Sequence, residues 1–107
     1  MTSVTILHEA EVELWDAAEF YESKCAGLGL DFVEEAKTAV DIIQQFPRRW
    51  PLRKDGTRRY LLHRFPSLAI YVYRDDRVWI VAFAHCRRRP GYWSGRMGGA
   101  RRRPPGS

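Results

Sequence analysis

Leu68-Ala69-Ile70-Tyr71-Val72-Tyr73-Arg74-Asp75-Asp76-Arg77-Val78-Trp79-Ile80-Val81-Ala82-Phe83-Ala84-His85 contains two runs rich in β-branched and aromatic residues, separated by an Asp-Asp pair. Such side chains suit a pleated, half-buried surface, and paired Asp residues tolerate the backbone angles of a tight turn. The stretch therefore predicts an antiparallel hairpin of strands 68–74 and 78–85. Residues 78–84 are apolar throughout, which predicts a central strand covered on both faces for most of its length. One face is expected to take helices. The other is expected to be partly filled by aromatic side chains such as Tyr71, Tyr73, Trp79 and Trp93, with the direction of each left open. Upstream, residues 59–65 form a third run, set off by the turn-forming pair Pro66-Ser67, so the three read as an antiparallel meander.

Before Pro47 the apolar period changes from 2 to 3.6. Ala10, Leu14, Ala17, Ala18, Tyr21 and Cys25 share one side of a helical wheel, with Glu13, Asp16 and Lys24 off it, which predicts an amphipathic helix over about 9–25. Val12 and Phe20 lie off the stripe, either as scattered surface residues or as part of a partner's footprint. Two glycines within 26–30 break the pattern. Asp31, three residues before Glu34, then resembles a capping box, opening a second helix with a stripe of Phe32, Ala36, Ala39, Val40, Ile43 and Phe46 that Pro47 stops. Val4 to Leu7 suits a brief opening strand. The order β-α-α-β-β-β predicts an α+β fold, a helix hairpin packed on a mostly antiparallel four-stranded sheet.

The chain has 107 residues, 45% of them hydrophobic, enough for a packed core without staples. Residues 1–96 are expected to form a single domain and 97–107 a disordered basic tail. The longest apolar run falls far short of the roughly 18 residues a membrane-spanning helix needs, so no membrane role is expected. Met1 to His8 shows neither a basic leader nor a long apolar stretch, so a cytoplasmic location is expected. Cys25 and Cys86 show no framework spacing and are expected as free thiols.

Charge is divided unevenly. Residues 1–46 hold ten Asp/Glu against two Lys, a balance of −8, whereas 47–107 hold sixteen Lys/Arg against three Asp, a balance of +13. Such asymmetry points to a basic working surface built by the second half and aimed at phosphates or at an acidic protein segment. Arg87, Arg88 and Arg89 follow the apolar strand directly, so their backbone is anchored and their bidentate guanidinium groups form a fixed recognition cluster; the bland alternative is a solvated patch. His85 lies just before them and His63 on the neighbouring run. Free imidazole titrates near pH 6.5, so either suits general acid–base work, or a structural role. Tyr92 and Trp93 follow Pro90-Gly91, where they either stack on bases or lid a small core. The connector 48–54 interleaves Arg48, Arg49, Arg53 and Lys54 with Trp50, and reads equally as a backbone grip or an exposed loop. His8, His63, His85 and the cysteines lack zinc-like spacing, so no metal and no cofactor is expected. No phosphate-cradling glycine loop or nucleophile elbow is present.

The element order resembles the RelE/ParE superfamily of toxins from type II toxin–antitoxin systems. So do several local sequences: Trp15 with Phe20-Tyr21, Phe32, Phe46-Pro47, Arg58-Arg59, Phe65-Pro66 followed by Ile70-Tyr71, and above all His85-Cys86-Arg87-Arg88-Arg89-Pro90-Gly91-Tyr92-Trp93. The resemblance covers about residues 4–96 and is ParE-like rather than RelE-like. It implies a cognate antitoxin that covers the toxin with helices or an extended segment, and it singles out Arg59 as a binding residue. A ParE-like member implies binding to DNA gyrase, with Arg59, His63, Arg87, Arg88, Arg89, Tyr92 and Trp93 as contact residues. A RelE-like member implies metal-free cleavage of mRNA on the ribosome, in which the 2′-hydroxyl attacks the adjacent phosphorus, His85 acts as base, and Arg87 or Arg88 stabilises the transition state. Ribonuclease members carry an arginine near the start of the third strand, where this chain has Leu68-Ala69-Ile70. A third reading is a non-toxic relative that binds nucleic acid, with steep salt dependence.

Overall fold

The computed structural model describes residues 2–97. Its elements are β1 (Ser3–Ile6), α1 (His8–Lys24), α2 (Leu28–Gln45), β2 (Arg58–Leu61), β3 (Ser67–Arg74) and β4 (Arg77–His85). The strands form one sheet in the order β1-β4-β3-β2, so β4 is central as its composition predicts. β2·β3 and β3·β4 are antiparallel, and β1 joins β4 in parallel. The expected α+β fold, a helix hairpin on a mostly antiparallel four-stranded sheet, is the one observed.

The β3–β4 turn shows why the Asp pair matters: Asp75 and Asp76 both adopt left-handed backbone angles (φ 56° and 59°), as a two-residue hairpin turn of matching twist requires. Further along, Tyr71 pairs with Ile80 and Ile70 with Ala82, so Val81 is a one-residue bulge. Before and after the bulge, Val78, Ile80 and Phe83 point at the helices. They pack with Ala69, Tyr71 and Tyr73 from β3 against Ala10, Leu14 and Ala18 of α1 and Phe32, Ala36, Ala39 and Ile43 of α2. The opposite face carries Ile70, Val81, Ala82, Ala84 and Trp93. Of the aromatics left open by the sequence, Tyr71 and Tyr73 thus lie on the helix side and Trp93 on the other. Cys25 and Phe46, placed on the stripes by periodicity, are exposed, because each sits where its helix ends.

Two boundaries depart from expectation. α2 starts at Leu28, so Asp31 is inside the helix and pairs with Arg64 at 3.2 Å instead of capping. The cap comes from α1: the Glu22 carboxylate accepts the N–H groups of Gly27 (3.0 and 3.1 Å) and Gly29 (3.0 Å), satisfying donors that a helix start leaves free. β2 ends at Leu61, four residues early, because the Glu35 carboxylate on α2 accepts the backbone N–H groups of His63 and Arg64 and draws the chain out of the ladder. Met97, the first residue of the expected tail, packs on the second face of the sheet, and residues 98–107 lie outside the described residues. No helix among the described residues is long and apolar enough to cross a membrane. Cys25 and Cys86 are exposed free thiols.

Tyr71 gives the core a pH signature. Its hydroxyl donates to the Pro47 carbonyl at 2.8 Å, and burial pushes its pKa up to about 12 against the opposing pull of the Arg58 charge. A folded pKa above the unfolded value near 10 means that its contribution is complete below about pH 10 and fades as pH rises towards 12. Stability measured by urea unfolding is expected to fall in that window by up to about 1.4 kcal/mol per pH unit from this residue. Tyr71→Phe should flatten the decline; an unchanged slope would show that Tyr71 is not its source.

Candidate functional site

β4 ends at His85 and the chain turns at once. The Cys86 N–H donates to the Pro66 carbonyl (2.8 Å), the Arg87 N–H to Nδ1 of His85 (3.0 Å) and the Arg88 N–H to the His85 carbonyl (2.9 Å). These bonds fix the backbone of the arginine triplet, while His85, Arg87, Arg88 and Arg89 all remain exposed. The Arg88 guanidinium lies over the Tyr92 ring at 3.9 Å, which holds it in place without neutralising it.

His85 pairs in register with Ser67 and falls two residues beyond Phe83, on the helix side of the sheet. There His85, Arg88, Ser67 and Phe83 line one wall of a cleft of about 380 Å³, and α1 supplies the other with Glu13, Asp16, Ala17, Phe20 and Tyr21. The cleft has an apolar floor and walls of mixed charge. The basic surface expected from the second half of the chain does not form this cleft alone: α1 is itself one wall, with Glu13 and Asp16.

Glu13 is the residue that sequence reading missed. Periodicity places it off the apolar stripe of α1, yet its side chain is only 15% exposed. Its carboxylate accepts the Phe83 N–H (3.1 Å), the Tyr92 hydroxyl (2.7 Å) and two bonds from Arg96 (both 3.0 Å). Arg96 also donates to the Val81 carbonyl at 2.9 Å. β1 has already ended beside Ile80, so the pair satisfies the strand edge that β1 leaves open and straps residues 86–97 to the sheet. Burial first, and then the hydrogen bond to Glu13, push the Tyr92 phenol well above its ordinary range; the hydrogen bonds that Arg96 donates to the Glu13 carboxylate raise Arg96. One signal was available: Glu13 is three residues after Ala10 and four before Ala17, which borders the apolar stripe.

The remaining candidates lie elsewhere. Arg59 is on the opposite face of the sheet, its guanidinium 5.0 Å from the ring centroid of Trp93. Burial, with the nearby Arg53 charge, lowers the Arg59 pKa. Burial pushes the neighbouring Asp55 carboxyl up, but hydrogen bonds from the Thr57 hydroxyl (2.6 Å) and N–H (3.0 Å) outweigh it and leave Asp55 below its ordinary value. Trp93 is buried and lies in the second core cluster, where it lids that small core. His63 sits in the β2–β3 loop, not on a strand, with its ring stacked on Tyr60 at 6.1 Å between centroids. The structure therefore brings together His85, Arg87, Arg88, Arg89 and Tyr92, and separates Arg59 with Trp93 and, independently, His63. Among the described residues no group of three or more His, Cys, Asp or Glu side chains is placed to hold a metal ion.

A helix hairpin on one face of a four-stranded sheet, with a post-sheet strap that opens on an arginine-rich turn, defines the class of fold. No protein-family model matches the chain, and no curated protein matches it. Among solved structures the fold is similar to that of a chain of the chromosomal ParDE TA system from P. aeruginosa, with a TM-score of 0.67 over 79% of this chain and 96% of that one, at 22% sequence identity.

Proposed function

We propose that this chain is the toxin of a type II toxin–antitoxin pair, that it arrests growth by binding DNA gyrase, and that a cognate antitoxin silences it. The observation that carries the reading is the fold match over 96% of a chain from a ParDE TA system. The arginine turn supplies the contact chemistry. Arg87, Arg88 and Arg89 are exposed on an anchored backbone, and Arg88 is held flat on Tyr92, a pairing of Arg and aromatic side chains common at the centres of protein interfaces. Asp16 on the facing wall of the cleft disfavours a polyphosphate strand and favours a protein target with both charges. An acidic, amphipathic antitoxin segment belongs on the same turn, since the outer side of the helix hairpin would repel it.

Inducing the chain in bacterial cells should stop growth, and co-expression of the neighbouring reading frame should restore it. Purified chain should abolish supercoiling by gyrase, with Arg88→Ala raising the required concentration roughly tenfold, as loss of one interface hot spot does. Full supercoiling activity at any dose would overturn the gyrase target. The second reading, mRNA cleavage, draws support from His85 and Arg88 sharing one cleft, as base and transition-state cation. Primer extension separates the two: intact transcripts at the moment growth stops exclude cleavage.

A further inference from the structure

The outer side of the helix hairpin, turned away from the sheet, meets the cleft only at Asp16 and takes no part in the strap. Between α1 and α2 it carries a groove of about 540 Å³ floored by Trp15, Leu30 and Val33 and rimmed by Asp16 and Glu19. Trp15 is 55% exposed and Leu30 62%. Neither packs on the sheet, and large apolar side chains side by side on an outer helical surface leave area whose removal from water is favourable.

The most exposed large apolar side chain of the described molecule is Leu52, at 63%. It stands between Pro51 and the cations Arg53 and Lys54. Its loop is braced: the Arg53 N–H donates to the Thr57 carbonyl and the Gly56 N–H to the Arg53 carbonyl, both at 2.9 Å, while Asp55 holds Thr57. Leu52, Arg53 and Lys54 border the same depression as Arg59, whose guanidinium is on the Trp93 side of the sheet. Groove and loop thus lie on opposite sides of the sheet, and a molecule cannot fill its own groove.

We propose that the groove of one copy seats the Leu52 loop of a second copy of this chain. The leucine covers Trp15 and Leu30, and Arg53 and Lys54 meet Asp16 and Glu19. The opposite charge of the two halves of the chain, acidic in the helices and basic after them, favours this occupant over an acidic partner, which the rim would repel. Because the two surfaces differ, the contact is head to tail: each pair keeps one open groove and one free loop, so assembly grows with concentration. Its electrostatic part is screened by salt. The inference does not depend on the toxin reading.

Sedimentation of the full chain from micromolar to near-millimolar concentration tests it. At low salt the mass should climb above the single-chain 12.5 kDa and fall back as salt is added. Trp15→Gln and Leu52→Gln should each stay single. An equimolar mixture of the two should form a two-chain species and nothing larger, because one intact groove then meets one intact loop. Leu30→Gln is a second groove variant that should behave as Trp15→Gln does and guards against local misfolding. A wild-type chain of single mass throughout, association that survives both substitutions, or a mixture that stays single would each overturn the proposal.

Discussion

Replacing Glu13 with Gln is expected to lower the unfolding free energy by about 3 kcal/mol, the scale for removing one partner of a largely buried ion pair. The side chains of Glu13 and Arg96 are only 15% and 17% exposed, so solvent cannot take over. The amide keeps one acceptor oxygen for the Phe83 N–H or the Tyr92 hydroxyl and loses the second, leaving Arg96 charged against a neutral group. Urea unfolding measures the loss as a lowered midpoint at constant slope. Trypsin should also cut faster within 86–97, since Arg96 is the strap's anchor on the Val81 carbonyl. The double variant Glu13→Gln with Arg96→Met should recover part of the loss, because the stranded cation is gone. A single variant within about 0.5 kcal/mol of wild type, typical of neutral surface changes, would show that the strap is held by something else.

Gly29→Ala sets two rules against each other. Helix propensity alone expects a gain of about 1 kcal/mol, since Gly29 is inside α2. Packing expects the reverse: a Cβ there would sit 2.5 Å from the backbone carbonyl oxygen of Ala18 and 3.0 Å from Cβ and Oε1 of Glu22. The oxygen belongs to α1 backbone and cannot swing aside, so the helices must part and the Glu22 cap on Gly27 and Gly29 is disturbed with them. The net expectation is a loss of about 2 kcal/mol, within the range for overpacking. A thermal melt decides the sign, and any rise in Tm would mean that α2 can shift freely at this crossing.

What the sequence disclosed follows the range of the interactions concerned. The β3–β4 hairpin was legible because its turn, Asp75-Asp76, and its apolar runs are neighbours along the chain. The start of α2 was misread because Asp31 and Glu34 have the spacing of a local cap, whereas the true cap reaches over from Glu22. The end of β2 was misplaced for the same reason: the Glu35 carboxylate that captures the His63 and Arg64 amides is 28 and 29 residues away. At the site, the union of His85 with the arginine triplet and Tyr92 could be read from adjacency. The spacing of Glu13 beside the apolar stripe hints at its burial, but its pairing could not be read, because Arg96 lies 83 residues further on. Nor could the division of Arg59 from His85, which depends on which side of the pleat each strand presents.

The parallel seat of β1 beside β4 sets an order of events during synthesis. Residues 3–6 emerge first but pair only with residues 77–80, so the opening strand must wait for almost the whole described chain. In that interval the acidic helices can form locally, while their inward-facing apolar side chains have no sheet to rest on. Closure is then a late and collective step, in which the two ends of the described chain are stitched together across β4. Any nascent chain released before Arg96 has emerged lacks the final stitch.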